Sequence, residues 1–128
     1  MENLKTYIER HRQNEEKKKD FAEYLYALMD ERNIKKPSTV YVKANVTKQA
    51  WSNIVSGKVT PSINTCIKIA LTLKLNNHEC KYLLKKAGYT LASSSVYSLI
   101  IRYCFENKIY DICSVNDYLA EYGYPPLS

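Results

Sequence analysis

Residues Thr47 to Leu73 read TKQAWSNIVSGKVTPSINTCIKIALTL, two helical segments separated by a glycine, a basic linker and a proline. Thr47 is a residue type that caps a helix by accepting a bond from a backbone N–H in the first turn. The helix it opens is predicted to run to Ser56, and Gly57 stops it at the position just past the end. Pro61-Ser62 opens the next helix, with Ser62 as N-cap. Ile63, Cys66, Ile67, Ala70, Leu71 and Leu73 supply its broad apolar face. Along the first helix Ala50, Trp51, Ile54 and Val55 fall on or near the inward side, while Lys48, Gln49, Ser52 and Asn53 share the outward one.

Working outward, Pro37 suits the first turn of a short helix ending near Ala44, and Asn45 tolerates the left-handed backbone a turn requires. Phe21, Leu25, Leu28 and Met29 mark an amphipathic helix that fades near Asn33, with Asp20 as its expected N-cap and Glu23 completing a capping-box pair. Leu4, Tyr7, Ile8 and His11 mark one face of a short N-terminal helix, and Arg12 to Asp20 read as a solvated helix or a tether. Asn76 and Glu79 form a second capping-box pair ahead of a helix with Leu83, Leu84 and Ala87 that ends at Gly88. The last third carries two more helices. Val96, Leu99, Ile100 and Tyr103 define the first, and Val115, Tyr118, Leu119 and Tyr122 the second. Ser114 is the expected cap of the latter, with Asp117 at its third position, and Gly123 and Pro125-Pro126 end it. Ile109 to Ile112 is the one stretch read as briefly extended. No alternation is long enough for a sheet, so the expected fold is one compact all-α domain.

Composition agrees. A chain of 128 residues fits one domain, and 45% hydrophobic with 25% charged residues is a globular balance. Three glycines and four prolines are too few for a barrel or sandwich rich in tight turns. No apolar run approaches the ~20 residues of a transmembrane helix. Residues 1–20 are densely charged with no signal-peptide core, so a cytoplasmic protein is expected. Cys66, Cys80, Cys104 and Cys113 contain no C-x-x-C pair, and His11 and His78 sit at no ligand spacing from them, so reduced thiols and no metal are expected. The glycines at 57, 88 and 123 cannot form a phosphate loop, and no nucleophile elbow exists. The reading is a protein that is not an enzyme and needs no cofactor.

Charge is unevenly placed. Residues 37–90 hold eight lysines against one acidic residue, Glu79, whereas residues 91–128 hold two basic and four acidic residues. A basic block between near-neutral and acidic flanks is expected where a chain meets a polyanion. Lys81, Lys85 and Lys86 are read as a solvated helix face, and the tyrosines as the amphipathic edge of the core. Tyr118 and Tyr122 are further candidates for a partner surface.

The segment S-G-K-V-T-P-S at Ser56–Ser62, followed by K-I-A-L-T-L at Lys68–Leu73, resembles the Cro/repressor-type (XRE-like) helix-turn-helix family. The likeness extends through A-G-Y-T-L at Ala87–Leu91, L-I-I-R-Y-C-F-E-N-K-I-Y-D-I at Leu99–Ile112 and V-N-D-Y-L at Val115–Leu119, which are similar to a C-terminal helical extension in one bacterial branch. The likeness covers about Phe21 to the C-terminus and implies a helix-turn-helix core over 21–90 and a C-terminal extension packed on it over 91–128; residues 1–20, outside it, are read from their charge as an N-terminal helix or tether. Tyr41 and Asn45 stand where such units usually carry a small residue and the turn glycine. Tyr41 is therefore expected to splay the helix pair or to point outward.

What the resemblance implies for function is a bacterial or phage transcriptional regulator that binds double-stranded DNA, with helix 47–56 in the major groove. Lys48, Gln49, Ser52 and Asn53 would reach base edges, since Gln and Asn pair with adenine and Lys with guanine. Lys43, Thr47, Lys58 and Thr60 would meet phosphates. A homodimer is expected, with residues 1–20 or 91–128 as candidate surfaces for it or for a protein partner. The alternative is a helix-turn-helix fold used as a protein-interaction module, an adaptor or inhibitor, since fold alone does not define function.

Overall fold

Seven α-helices make up the regular structure of the computed structural model, which describes the backbone of residues 3–127 and the side chains of these except residues 11 and 13–19. They are α1 (Leu4–Glu31), α2 (Pro37–Lys43), α3 (Lys48–Val55), α4 (Ile63–Thr72), α5 (Asn77–Lys86), α6 (Val96–Glu106) and α7 (Ile112–Glu121). The fold is compact and all-α, with no strand among the described residues. The expected caps form: Thr47 Oγ1 accepts from Ala50 N at 3.0 Å, and Ser62 Oγ from Thr65 N at 3.2 Å. Asn76 and Glu79 make both bonds of a capping box.

Each helix ends in the same way. The residue two past its last helical position has a positive φ: Asn33, Asn45, Gly57, Lys74, Gly88, Lys108 and Gly123. The backbone then closes two back-directed bonds that satisfy otherwise orphaned carbonyls. After α3, Gly57 N donates to Ile54 O at 3.1 Å and Lys58 N to Asn53 O at 2.9 Å. After α2, Asn45 N donates to Val42 O at 3.1 Å and Val46 N to Tyr41 O at 2.8 Å. Asn45 takes the left-handed turn at φ 56°, as its residue type suggested.

The core is organised around α4, where Cys66, Ile67, Lys68, Ile69, Ala70 and Leu71 are all buried. Helix α1 contributes Phe21, Leu25, Leu28 and Met29, and α5 contributes Cys80, Leu83 and Leu84. The C-terminal pair α6 and α7 closes one end with Ile101, Cys104, Phe105, Val115 and Leu119. Leu127 is also buried, and its backbone N–H donates to Asn116 Oδ1 at 2.8 Å, folding the tail back onto α7.

Three local expectations are corrected. Residues 4–31 form one continuous 28-residue helix rather than two separate ones, so of the two readings of Arg12 to Asp20 the helix holds and the tether does not, and Asp20 lies inside α1 and caps nothing. Residues 12–20 are polar but contain no helix breaker, and Lys, Arg, Glu and Gln are good helix formers. Helix α7 begins three residues early: Asp111, not Ser114, is the N-cap, its Oδ2 accepting from Ser114 N at 3.1 Å. Helix α6 turns Tyr97, Ile101, Cys104 and Phe105 inward together with Ile100, the one residue of the expected face that is buried, leaving Val96, Leu99 and Tyr103 exposed. Tyr97 selects that face: its hydroxyl donates to Asn64 Oδ1 at 3.1 Å and its ring meets Tyr124 edge-on at 5.7 Å.

Arg32 joins three helix ends. Its Nε donates to Leu73 O at 2.8 Å, its Nη1 to Leu28 O at 3.2 Å, and its Nη2 to Glu79 Oε1 at 2.9 Å. The cation thus sits at the carbonyl ends of α1 and α4, where the helix dipoles favour positive charge, and orients the carboxylate that caps α5. Arg32→Met is expected to cost about 2–4 kcal/mol, because it leaves part-buried acceptors without a donor. Urea unfolding checks this; a cost below about 0.5 kcal/mol, the range of ordinary surface substitutions, would show that solvent satisfies those acceptors.

Candidate nucleic-acid interface

The surface formed by α2, α3 and their flanks is built on Trp51 and Ile54, both buried, which fix α3 to the core. Tyr41, half-buried on α2, neither clashes nor turns fully outward; its ring lies against Trp51 with centroids 5.9 Å apart. With the inward side held, the opposite side of α3 faces solvent. Lys48, Gln49 and Ser52 are exposed there and Asn53 is half-buried.

Gln49 and Asn53 are one turn apart, and Gln49 Nε2 donates to Asn53 Oδ1 at 3.1 Å. Each amide carries an acceptor oxygen and two donor hydrogens, so the bond consumes one donor and one acceptor site and leaves both kinds of group available. The Thr47 hydroxyl accepts from Ala50 N but retains its own proton to donate. Lys43, Lys58 and Thr60 are exposed at the two ends of the same surface. The left-handed turn at Gly57 reverses the chain and brings Lys58 back beside Asn53, through the bond from Lys58 N to Asn53 O. From residue 37 to residue 78 the chain carries no carboxylate side chain.

Lys68 plays a part that the sequence reading did not assign. Only 7% of it is exposed, and its Nζ donates to Asn45 O at 3.4 Å, tying α4 to the turn between α2 and α3. Burial holds its ammonium below the ordinary 10.5. The available signal was a single lysine within the apolar run from Cys66 to Leu71.

Elsewhere the lysines diverge. Lys81 and Lys85 are solvated, but Lys86 lies 3.8 Å from Asp20 and 5.0 Å from the centre of the Tyr82 ring, so it also holds α5 to α1. Cys66, Cys80 and Cys104 are buried and Cys113 is exposed, all as free thiols. Among the described residues no cluster of three or more His, Cys, Asp or Glu could hold a metal, and no helix is long and apolar enough to cross a membrane.

Compared with known proteins, the chain matches no family model, no curated protein and no solved structure.

Proposed function

We propose that the chain is a DNA-binding protein of the transcription-regulator kind, reading the major groove with α3. The observation that carries this is the α3 surface: a short helix anchored on one side by Trp51 and Ile54, with Lys48, Gln49, Ser52 and Asn53 on the other, in a stretch without carboxylates. The coupled Gln49–Asn53 amides act as one composite reader, offering an acceptor and a donor suited to adenine N6 and N7. Lys48 reaches toward guanine, and Ser52 pairs with either partner. Lys43, Thr47, Lys58 and Thr60 hold the backbone on both sides and set the register.

Anisotropy with a random duplex and then a selected pool, at several salt concentrations, tests the reading. Lys43 and Lys58 alone should give a log–log salt slope of about −1.8 per bound protomer. One sequence should be enriched from the pool. Gln49→Ala with Asn53→Ala should weaken binding to that sequence by about 1–3 kcal/mol per lost base contact, leaving random-duplex affinity unchanged. Unchanged affinity for the selected sequence would remove α3 as the reading element. Absence of binding near about 50 mM salt, where phosphate contacts are strongest, would leave the interaction-module reading in its place.

A further inference from the structure

Among the described residues Lys68 is the one charged side chain that is buried. It rises from the apolar run Cys66–Leu71 of α4 and ends at the turn between α2 and α3. There it finds little of what a buried cation needs. An ammonium has three donors, and the single bond to Asn45 O, at 3.4 Å, is long. No carboxylate faces it from α2, α3 or α4, which carry none, and burial without an opposing charge is what holds its ammonium below the ordinary 10.5. One long hydrogen bond does not offset the desolvation of a cation, so an apolar side chain of similar length would serve the fold alone as well.

The surroundings of the turn point outward from the chain. Asn45 is exposed, and Lys43 and Thr47 stand exposed two residues before and after it. The turn has no spare backbone donors for an anion, because Asn45 N donates to Val42 O and Val46 N to Tyr41 O. It also follows the carbonyl end of α2, whose partial negative charge opposes a phosphate. A DNA strand laid against both Lys43 and Thr47 therefore passes over a point that needs positive charge, and the Lys68 ammonium lies there.

We propose that Lys68 is a phosphate-directed cation of the α3 surface, and that its missing counter-charge is a DNA phosphate seated over the turn at Asn45, between Lys43 and Thr47. The assignment rests on the DNA reading and adds to it a residue of the hydrophobic core. Burial, which costs the free chain, strengthens the contact, since salt screens a part-buried charge pair less than an exposed one. Lys68 also ties the phosphate to α4, so the strand is held by the core as well as by the exposed side chains.

Binding of random duplex across a salt series tests it, with two neutral variants of the full chain. Lys68→Met keeps the stem and removes the charge; Lys68→Gln keeps a donor without the charge. With Lys43, Lys58 and Lys68 all at phosphates, the wild-type log–log slope should be about −2.7 per bound protomer, and each variant should bring it to about −1.8. At about 0.1 M salt the variants should bind roughly eightfold more weakly, taking the contact to vanish near 1 M. Lys81→Met, which removes a solvated lysine of α5, should leave the slope unchanged. A wild-type slope kept by either neutral variant overturns the assignment and leaves the DNA reading standing. So does a Lys68→Met chain with a lower urea midpoint and an unchanged slope, which marks a tether only, or an equal loss of slope in Lys81→Met, which marks general basicity. A wild type that binds no duplex removes both readings.

Discussion

Trp51→Ala is expected to destabilise the chain by about 3–5 kcal/mol, the range for removing a buried ring without full collapse of the site. Trp51 is 4% exposed, is one of two buried side chains on α3, and has Tyr41 of α2 against it. Its loss opens a cavity between α2, α3 and the core that Tyr41, held by its own helix, cannot fill. Total stabilities of such domains are about 5–15 kcal/mol, so a large share is at stake. Trp51→Phe keeps a ring and should cost less than half as much. Chemical denaturation followed by far-ultraviolet circular dichroism gives both values. A Trp51→Ala cost under about 1 kcal/mol would mean that Ile54 alone secures α3.

Raising the pH from 8 to 11 should destabilise the protein progressively. Burial pushes the Cys66 and Cys80 thiols from the ordinary 9.0 to about 12, and Cys104 to about 11. The unfolded chain releases these protons from about pH 9, while the folded chain keeps them, so the native state binds more protons across the interval. Stability is therefore fully present below pH 9 and is lost as the pH rises toward the folded values. By pH 11 the three thiols together remove on the order of 8 kcal/mol. The Tyr97 phenol, raised to about 12 mainly by burial, acts in the same direction. Lys68 opposes them: its lowered value means that stability rises with pH through the window below 10.5, but it is one group against several. Urea midpoints at pH 8, 9, 10 and 11 should fall progressively, about pH units that span the ordinary thiol range. Cys80→Ala should flatten the slope even though it lowers the starting stability. A midpoint constant from pH 8 to 11 would show that the thiols ionise freely in the folded chain.

Where the determinants are local, the sequence was readable. Thr47, Ser62, Asn76 with Glu79, and Gly57 act within a few residues of themselves, and the ends of α3, α4 and α5 fall where these side chains place them. The errors arose where two local answers were both available. Asp20 and Glu23 form a plausible cap pair, but a cap ends nothing when good helix formers precede it, and α1 runs through. Asp111 and Ser114 are both capping residues; the earlier one prevails, and Ile112 is drawn into the half-buried rim of the core. In α6, the run VYSLII is apolar around more than one face, and periodicity alone cannot choose between them. The polar face of α3 was legible for the same reason as its caps, since Trp51 and Ile54 leave a single arrangement of the remaining side chains. The Lys68 tether was not, because it spans 23 residues and depends on how α4 packs against the turn.

The seven left-handed helix ends have a kinetic meaning. Each stop is written within six residues, by one residue of positive φ and the two bonds it allows, with no contribution from a distant segment's backbone. Local contacts of this kind form in microseconds or less, so these stops are expected to limit helix lengths early in folding, while the short helices between them gain their stability on docking. A helical chain rich in local contacts is expected to fold rapidly, which stopped-flow refolding would check. The four stops at Asn33, Asn45, Lys74 and Lys108 show that the signal is strong enough to hold even without glycine.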